Sequence, residues 1–159
     1  MQVLSGAQRV DGFEFSASGF VTRKWNVLTA YTFLDSEIVK SNTLPTVING
    51  ITYSEVGKRL INTPKNSFSF WSTYQLLDRL SGGGGARFVD ERFGNTINTR
   101  MVDSYWTIDA TASYRVTKNI DLRLNLNNLA DKYYFDRLGG GHVVPGAGRA
   151  ACLITDIRF

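Results

Sequence analysis

At 159 residues the chain amounts to one domain at most, and its 43% hydrophobic content leaves room for a core. Eighteen Lys and Arg against 14 Asp and Glu give a formal charge of +4, with no run of five basic residues, which argues against a nucleic-acid arm. Cys152 and His142 are the sole cysteine and histidine, so a disulfide framework, a Cys-based zinc site and a His-rich metal site are all excluded.

Ten Phe, 7 Tyr, 3 Trp and 15 Gly against 3 Pro favour strands and turns over helices. Met1-Gln2-Val3-Leu4-Ser5-Gly6 has neither the basic nor the apolar region of a secretory signal, and reads as the tail of a preceding strand. No stretch approaches the roughly 18 apolar residues of a membrane helix. Alternation is the remaining signal, and a membrane barrel hides its apolar face in it.

In chain order, Phe13, Phe15, Ala17 and Val21 oppose Glu14, Ser16 and Ser18. Trp25, Val27, Thr29, Tyr31 and Phe33 follow, with Leu28 and Leu34 spoiling the opposite face. Phe68, Phe70, Tyr74 and Leu76 oppose Ser67, Ser69, Thr73 and Gln75, with Trp71 out of pattern. The stretch 84–93 is weakest, blurred by Arg87, Asp90, Glu91 and Arg92. The clearest is Trp106, Ile108, Ala110, Ala112, Tyr114 and Val116 against Thr107, Asp109, Thr111, Ser113 and Arg115. Ile120, Leu122, Leu124 and Leu126 come next, and Ala151, Leu153, Thr155, Ile157 and Phe159 close the chain. The spacing predicts seven strands near 12–21, 25–37, 67–76, 84–93, 104–116, 120–129 and 149–159.

The connections alternate in length. Thr22-Arg23-Lys24, 77–83 and Thr117-Lys118-Asn119 are short; 38–66, 94–103 and 130–148 are long. Short turns at one end and long loops at the other suit a membrane barrel. Pro45, Pro64 and Pro145 all fall in the long loops, where no ladder needs their N–H, and Asn49-Gly50 marks a turn inside the first. Trp25, Tyr74, Tyr114 and Phe159 then lie at the short-turn ends, with Phe33, Phe68, Tyr105 and Trp106 at the long-loop ends, as two interfacial aromatic bands. A soluble β-sandwich alternates in the same way, and on periodicity alone it stays open.

The segment Asn125-Leu126-Asn127-Asn128-Leu129-Ala130-Asp131-Lys132-Tyr133-Tyr134 resembles the penultimate strand of TonB-dependent outer-membrane receptors, with its Asn-Leu-x-Asp-x-x-Tyr ending. Gly146-Ala147-Gly148-Arg149 resembles the family's Gly-x-x-Arg start of the last strand, and the chain ends on an aromatic residue. Upstream, Val10-Asp11-Gly12-Phe13-Glu14, Ala30 to Ile38 (Tyr-Thr-x-x-Asp-x-x-Ile) and Tyr105 to Ala110 (Tyr-x-x-x-Asp) match further strands. Gly57 to Ser67 looks most like the catecholate-siderophore branch. The match runs from about Gly6 to Phe159.

The resemblance implies an all-β fold: an antiparallel β-meander of about seven strands, part of a transmembrane β-barrel in the outer membrane of a Gram-negative cell. Family barrels have about 22 strands around a plug, so residues 1–159 are expected to be the C-terminal part of such a barrel. The plug, the N-terminal strands and the TonB-binding region lie outside them. The implied function is TonB-dependent uptake of an iron–siderophore complex, with this segment inactive alone. Implied partners are outer-membrane lipid, the ferric siderophore and TonB for the parent, and the barrel assembly machinery. No cofactor is implied. A small self-assembling porin or adhesin and a soluble β-sandwich binding module remain the alternatives.

Three sets of residues stand out. Asp109, Arg115, Arg123, Asp156 and Arg158 lie on the polar strand faces, expected to line the lumen or to form cross-strand charge pairs. Tyr133, Tyr134, Arg137, His142 and Arg149 lie in the last long loop, where aromatic and cationic groups suit an anionic ferric catecholate. Leu153, Ile157 and Phe159 resemble the terminal signal read by the assembly machinery, the alternative being an ordinary final strand. The runs 82–85 and 139–141 are not followed by Lys-Ser/Thr; they read as flexible turns rather than phosphate loops. His142, the sole imidazole base, has no sign of an oriented triad, so no enzyme is expected. Cys152 reads as a small residue of the buried type.

Overall fold

The structure is a computed structural model and describes residues 6–139 and 141–159; Met1 to Ser5 and Gly140, which carry parts of two sequence expectations, lie outside it. In chain order the strands are β1 (Gly6–Thr22), β2 (Trp25–Ser41), β3 (Thr46–Ile48), β4 (Ile51–Tyr53), β5 (Asn66–Leu77), β6 (Leu80–Val89), β7 (Arg92–Phe93), β8 (Met101–Val102), β9 (Tyr105–Arg115), β10 (Ile120–Asn127), β11 (Phe135–Gly139), β12 (His142–Pro145) and β13 (Ala150–Ile157). Seven of them form one sheet in the order β1-β2-β5-β6-β9-β10-β13, every pair antiparallel. The other six form three short hairpins in the long connections.

Register decides the faces. Trp25 pairs with Tyr74, Tyr31 with Phe68, Phe68 with Phe88, Phe88 with Trp106, Tyr114 with Leu122 and Leu124 with Leu153. Each pair brings two side chains to the same side of the pleat. From Phe13 and Phe33 down to the short turns, this face carries no charged residue on any of the seven strands. It is also exposed: Phe15 is 57% and Leu153 66% accessible. The Trp25 indole N–H donates to Ser72 Oγ at 2.8 Å, which satisfies the one polar atom of that ring.

No second sheet packs on either face among the described residues; the extensive contacts of the sheet strands with other strands are with their hydrogen-bonded neighbours. A sandwich needs a facing layer, so the sandwich alternative finds no counterpart here. The edges also matter. In a seven-stranded antiparallel sheet the two edge strands, β1 and β13, run in the same direction. They cannot close on each other with antiparallel pairing. Nor can copies inserted the same way up, because each would offer edges of that same direction. Antiparallel closure needs an odd number of further strands between β13 and β1.

The Gly run is the main correction to the sequence reading. Gly82 to Gly85 are not a turn: they lie within β6, paired with β5 on one side and β9 on the other. The turn is Asp78-Arg79, and β6 starts at Leu80 and ends at Val89 rather than spanning 84–93. A Cβ on Gly85 would overlap the Phe70 carbonyl and the Trp71 ring, and one on Gly83 would sit 2.7 Å from the Ser72 carbonyl. The glycines therefore make room for side chains of β5. Trp71, out of pattern in sequence, is on the polar face because Gly85 opposite it leaves space.

Three smaller expectations also change. Tyr105 faces away from Trp106 and is only 3% exposed, so it is not part of an aromatic band. Cys152 is exposed, because it lies on an edge strand with nothing packed on its face. Pro145 ends the short strand β12 rather than lying in open loop, and it stands opposite Phe135, where its missing N–H leaves the hairpin ladder without a donor. The Asn49-Gly50 turn is found as expected, joining β3 to β4 with φ of 51° and 80°.

Candidate functional site

The face opposite the apolar one is polar, and at the short-turn end it carries charge. Asp121 on β10 lies between Arg115 on β9 and Asp156 on β13 in register. Its carboxylate meets Arg115 Nε at 3.4 Å and Arg158 at 2.8 Å. Arg123 and Asp156 line the same recess of about 240 Å³, with Asp78 and Arg79 from the turn below. Asp109 is elsewhere: near the long-loop end, its Oδ1 accepts the Asn128 backbone N–H at 2.7 Å. Of the five residues expected on the polar face, then, Arg115, Arg123, Asp156 and Arg158 gather around Asp121. Asp109 holds the turn after β10. Cross-strand pairing made the first four adjacent, and no spacing in the sequence announces Asp121 as their hub.

The long-loop end is where the chain packs. Buried hydrophobic side chains among the described residues are Ile38, Ile97, Val102, Tyr105 and Leu138, all at this end. Buried with them are Arg92, at 4% exposure, Ser36, Thr107 and Asn128. The connections are stitched together by hydrogen bonds. Asn98 and Arg59 bond reciprocally, Arg59 N–H to Asn98 Oδ1 at 2.8 Å and Asn98 Nδ2 to the Arg59 carbonyl at 3.0 Å. Asn62 N–H donates to the Phe93 carbonyl at 2.9 Å. Glu55 accepts from Ser41 Oγ at 2.7 Å and from the Thr96 hydroxyl. These hydroxyls, Thr96 first, stabilise the carboxylate and hold the Glu55 pKa below its ordinary value.

The last connection is anchored in two places. Asn128 donates to the carbonyls of Lys132 and Ala147, and Asp131 accepts from the Arg149 backbone N–H at 2.9 Å, with the Arg149 guanidinium 3.8 Å away. Asn128 and Asp131 both have positive φ, 49° and 50°, which short polar side chains tolerate. Tyr134 stacks on Tyr105 with centroids 4.2 Å apart. Gly146 lies against the Tyr134 ring, where any Cβ would overlap it. Arg87 approaches the same place, 5.7 Å from the Tyr105 ring and 4.0 Å from Asp136.

The five loop residues expected from the sequence do not converge. Tyr134 is packed inward on Tyr105. Tyr133 is exposed and meets Phe135 edge-on at 5.4 Å. Arg137 is exposed, 3.6 Å from Asp136. His142 lines a separate small recess with Arg100, Met101 and Leu138. Arg149 is tied to Asp131. The residues gathered at the mouth are instead Arg87, Arg92, Tyr105, Tyr134 and Asp136. Sequence reading missed Arg87 and Arg92 as site residues although it registered them: they are among the charges that blurred the alternation near 84–93. No group of three or more His, Cys, Asp or Glu poised for a metal occurs among the described residues.

Comparison with known proteins places this geometry. The family described as "TonB dependent receptor-like, beta-barrel" matches residues 1–129. The chain is similar to a probable TonB-dependent siderophore receptor, PiuA, of Acinetobacter baumannii, 39% identical over 97% of this chain and 21% of that protein. It is also similar to the catecholate siderophore receptor Fiu of Escherichia coli K12, 32% identical over 97% of this chain and 20% of that protein. The crystal structure of PiuA superposes with a TM-score of 0.86 over 96% of this chain and 22% of that one. The closed form of Fiu superposes at 0.78, over 97% and 21%. The chain thus spans about a fifth of the length of these relatives.

Proposed function

The chain belongs to the TonB-dependent receptor β-barrel family, and on that premise we propose that it is the C-terminal part of an outer-membrane barrel that takes up iron–siderophore complexes. The observation that carries the membrane reading is the charge-free apolar face that register assembles across all seven strands, with aromatic rings toward both ends. A face of that kind, exposed and unpacked, suits lipid. The parity of the sheet supports a larger barrel, since closure needs further strands. The opposite face, with its charged recess beneath and its packed mouth above, is the lumen side in this reading, abutting the plug.

The substrate in this proposal is a ferric siderophore of anionic type. Exposed Tyr133 and Arg137, with Arg87 beside the Tyr105–Tyr134 stack, supply the cationic and aromatic groups that favour anionic aromatic ligands. TonB acts through a region beyond these residues, and the barrel assembly machinery engages the last strand. Leu153 and Ile157 face outward on its unpaired edge with Phe159 following, all exposed. The work is transport; no residue here is assigned a catalytic role.

The test uses a receptor-deficient Gram-negative strain. The reading frame containing this segment is expressed there with radiolabelled iron supplied as a ferric catecholate, in the presence and absence of TonB. TonB-dependent uptake is expected from the frame, and none from residues 1–159 alone. Uptake by the 159 residues alone would overturn the fragment reading. TonB-independent diffusion of small solutes through the complete frame would favour a porin.

A further inference from the structure

We propose that Arg92 is a positioning residue that fixes the β11–β12 hairpin to the mouth of the sheet by capping carbonyls which that hairpin cannot satisfy itself. This goes beyond the uptake reading and stands on loop geometry, whichever ligand is carried.

The hairpin is a separate two-stranded sheet. Among the described residues no backbone–backbone hydrogen bond joins β11 or β12 to the seven-stranded sheet. Its own ladder is defective at the start. Phe135 is paired with Pro145, which has no N–H to give, and the register slips between Phe135 and Arg137, so Asp136 has no partner across the strand. Carbonyls left open in a packed region are costly unless a donor reaches them. Arg92 supplies the donors. Its Nη1 donates to the Asp136 carbonyl at 2.7 Å and its Nη2 to the Phe135 carbonyl. Nη1 also donates to Asn62 Oδ1 at 3.0 Å, which brings in the connection before β5. One guanidinium therefore ties β7, that connection and β11 together.

The surroundings favour this role over a simple ion pair. Arg92 is buried and forms no salt bridge among the described residues; its acceptors are neutral, with the Tyr105 ring 5.8 Å away. Among the described residues its Nε–H has no partner. A buried cation held only by neutral acceptors is costly to place, and the return is the planar fork that spans two successive carbonyls, a geometry that lysine cannot copy. With the hairpin held, Leu138 is buried, Tyr134 is seated on Tyr105, and Arg137 points outward beside Asp136.

The test uses the complete reading frame containing this segment, folded in detergent micelles, with Cys152→Ser and any cysteine outside the segment replaced as background. A reporter cysteine is placed at Leu138 on the hairpin, and a control at Ile97, which is buried in another connection. Maleimide labelling rates are compared with Arg92 intact and replaced. Arg92→Ala is expected to speed labelling of Leu138→Cys by about ten-fold or more, and that of Ile97→Cys by less than about two-fold. Arg92→Lys is expected to behave more like Arg92→Ala than like the parent. Should Arg92→Ala fail to assemble, Asn62→Gly keeps the positive φ of 55° and removes only the Oδ1 acceptor, with a smaller rise at Leu138→Cys alone expected. Unchanged labelling at Leu138→Cys, an equal rise at Ile97→Cys, or full retention of protection by Arg92→Lys would each overturn the proposal.

Discussion

The seven-stranded sheet and the loop cluster above it are held together by different physics. Away from the long-loop end the sheet has no core among the described residues: many of its large apolar side chains are exposed, and its order comes from continuous backbone ladders plus a face that only an apolar surrounding can cover. The loop cluster has almost no ladder, only hairpins built of strands of two to five residues, yet Ile97, Val102, Leu138 and a buried arginine are packed there, against Ile38 and Tyr105 from the loop ends of β2 and β9. One region is stabilised by backbone pairing and solvent partition, the other by specific side-chain bonds. The sheet therefore responds to which face a residue occupies, and the cluster to which atom it presents.

The strongest way to break the sheet is to put charge on its apolar face. Leu124→Lys is expected to cost about 2–4 kcal/mol, as for a cation near the midplane of a membrane barrel. Asn125→Lys, one residue on and facing the other side, loses only the hydrogen bond from the Thr111 hydroxyl at 2.8 Å, about 1 kcal/mol. Urea titration of each variant, made in the complete reading frame containing this segment and refolded into lipid vesicles, measures the difference. Equal effects would show that the two faces are not distinguished by lipid.

A smaller effect sharpens the role of the glycines. Gly85→Val drives side-chain atoms into the Phe70 carbonyl and the Trp71 ring and is expected to cost about 1–3 kcal/mol. Gly82→Ala meets nothing nearer than 3.5 Å and is expected to be close to neutral. Adding Trp71→Ala to Gly85→Val should recover part of the loss, since the ring is one of the two obstacles. The same titration reads this out. A Gly85→Val variant as stable as Gly82→Ala would mean that the pair does not pack as described.

The weakest effect belongs to the loop cluster and depends on pH. The folded-state pKa of Glu55 is depressed, so its contribution is fully present above the ordinary carboxylate pKa near 4.5 and is lost as pH falls through the lower folded value. Backbone amides around Ser41, Glu55 and Thr96 are expected to lose protection, relative to the intrinsic exchange rate at each pH, as the medium is acidified. In Glu55→Gln that local pH dependence should disappear while the sheet amides stay protected. If protection at these positions is flat with pH in the parent chain, the hydroxyl contacts do not hold the carboxylate.

How much was legible in the sequence follows the same division. Trp106 to Val116 and Ile120 to Leu126 alternate without interruption, and both strands are found within two residues of their predicted ends. Where alternation stops, the prediction stops too early. β1 and β2 continue to Gly6 and Ser41, and there Arg9, Asp11, Asp35 and Glu37 share the side of Phe13 and Phe33. Arg9 bonds Glu37 at 2.8 Å. Hydrophobic period reports the lipid-facing stretch of a strand, while the ladder continues past it. Gly82 to Gly85 misled for a related reason: glycine signals flexibility only until neighbouring strands use its empty space. The site was less legible. Tyr133, Tyr134, Arg137, His142 and Arg149 share a loop but not a location, because Asn128, Asp131 and Arg92 fold that loop in three places.

The sequence by itself determined an antiparallel meander of about seven strands, the apolar side of those that alternate clearly, and the family, because period 2 and short ordered motifs are local properties of the chain. Tertiary structure alone decided that Asp121 gathers Arg115 and Arg158, that Trp71 rests on Gly85, and that Tyr105 leaves the aromatic band to stack on Tyr134. Each of these depends on cross-strand register or on a loop returning to the sheet. Such contacts join residues far apart in sequence, and no local pattern specifies them.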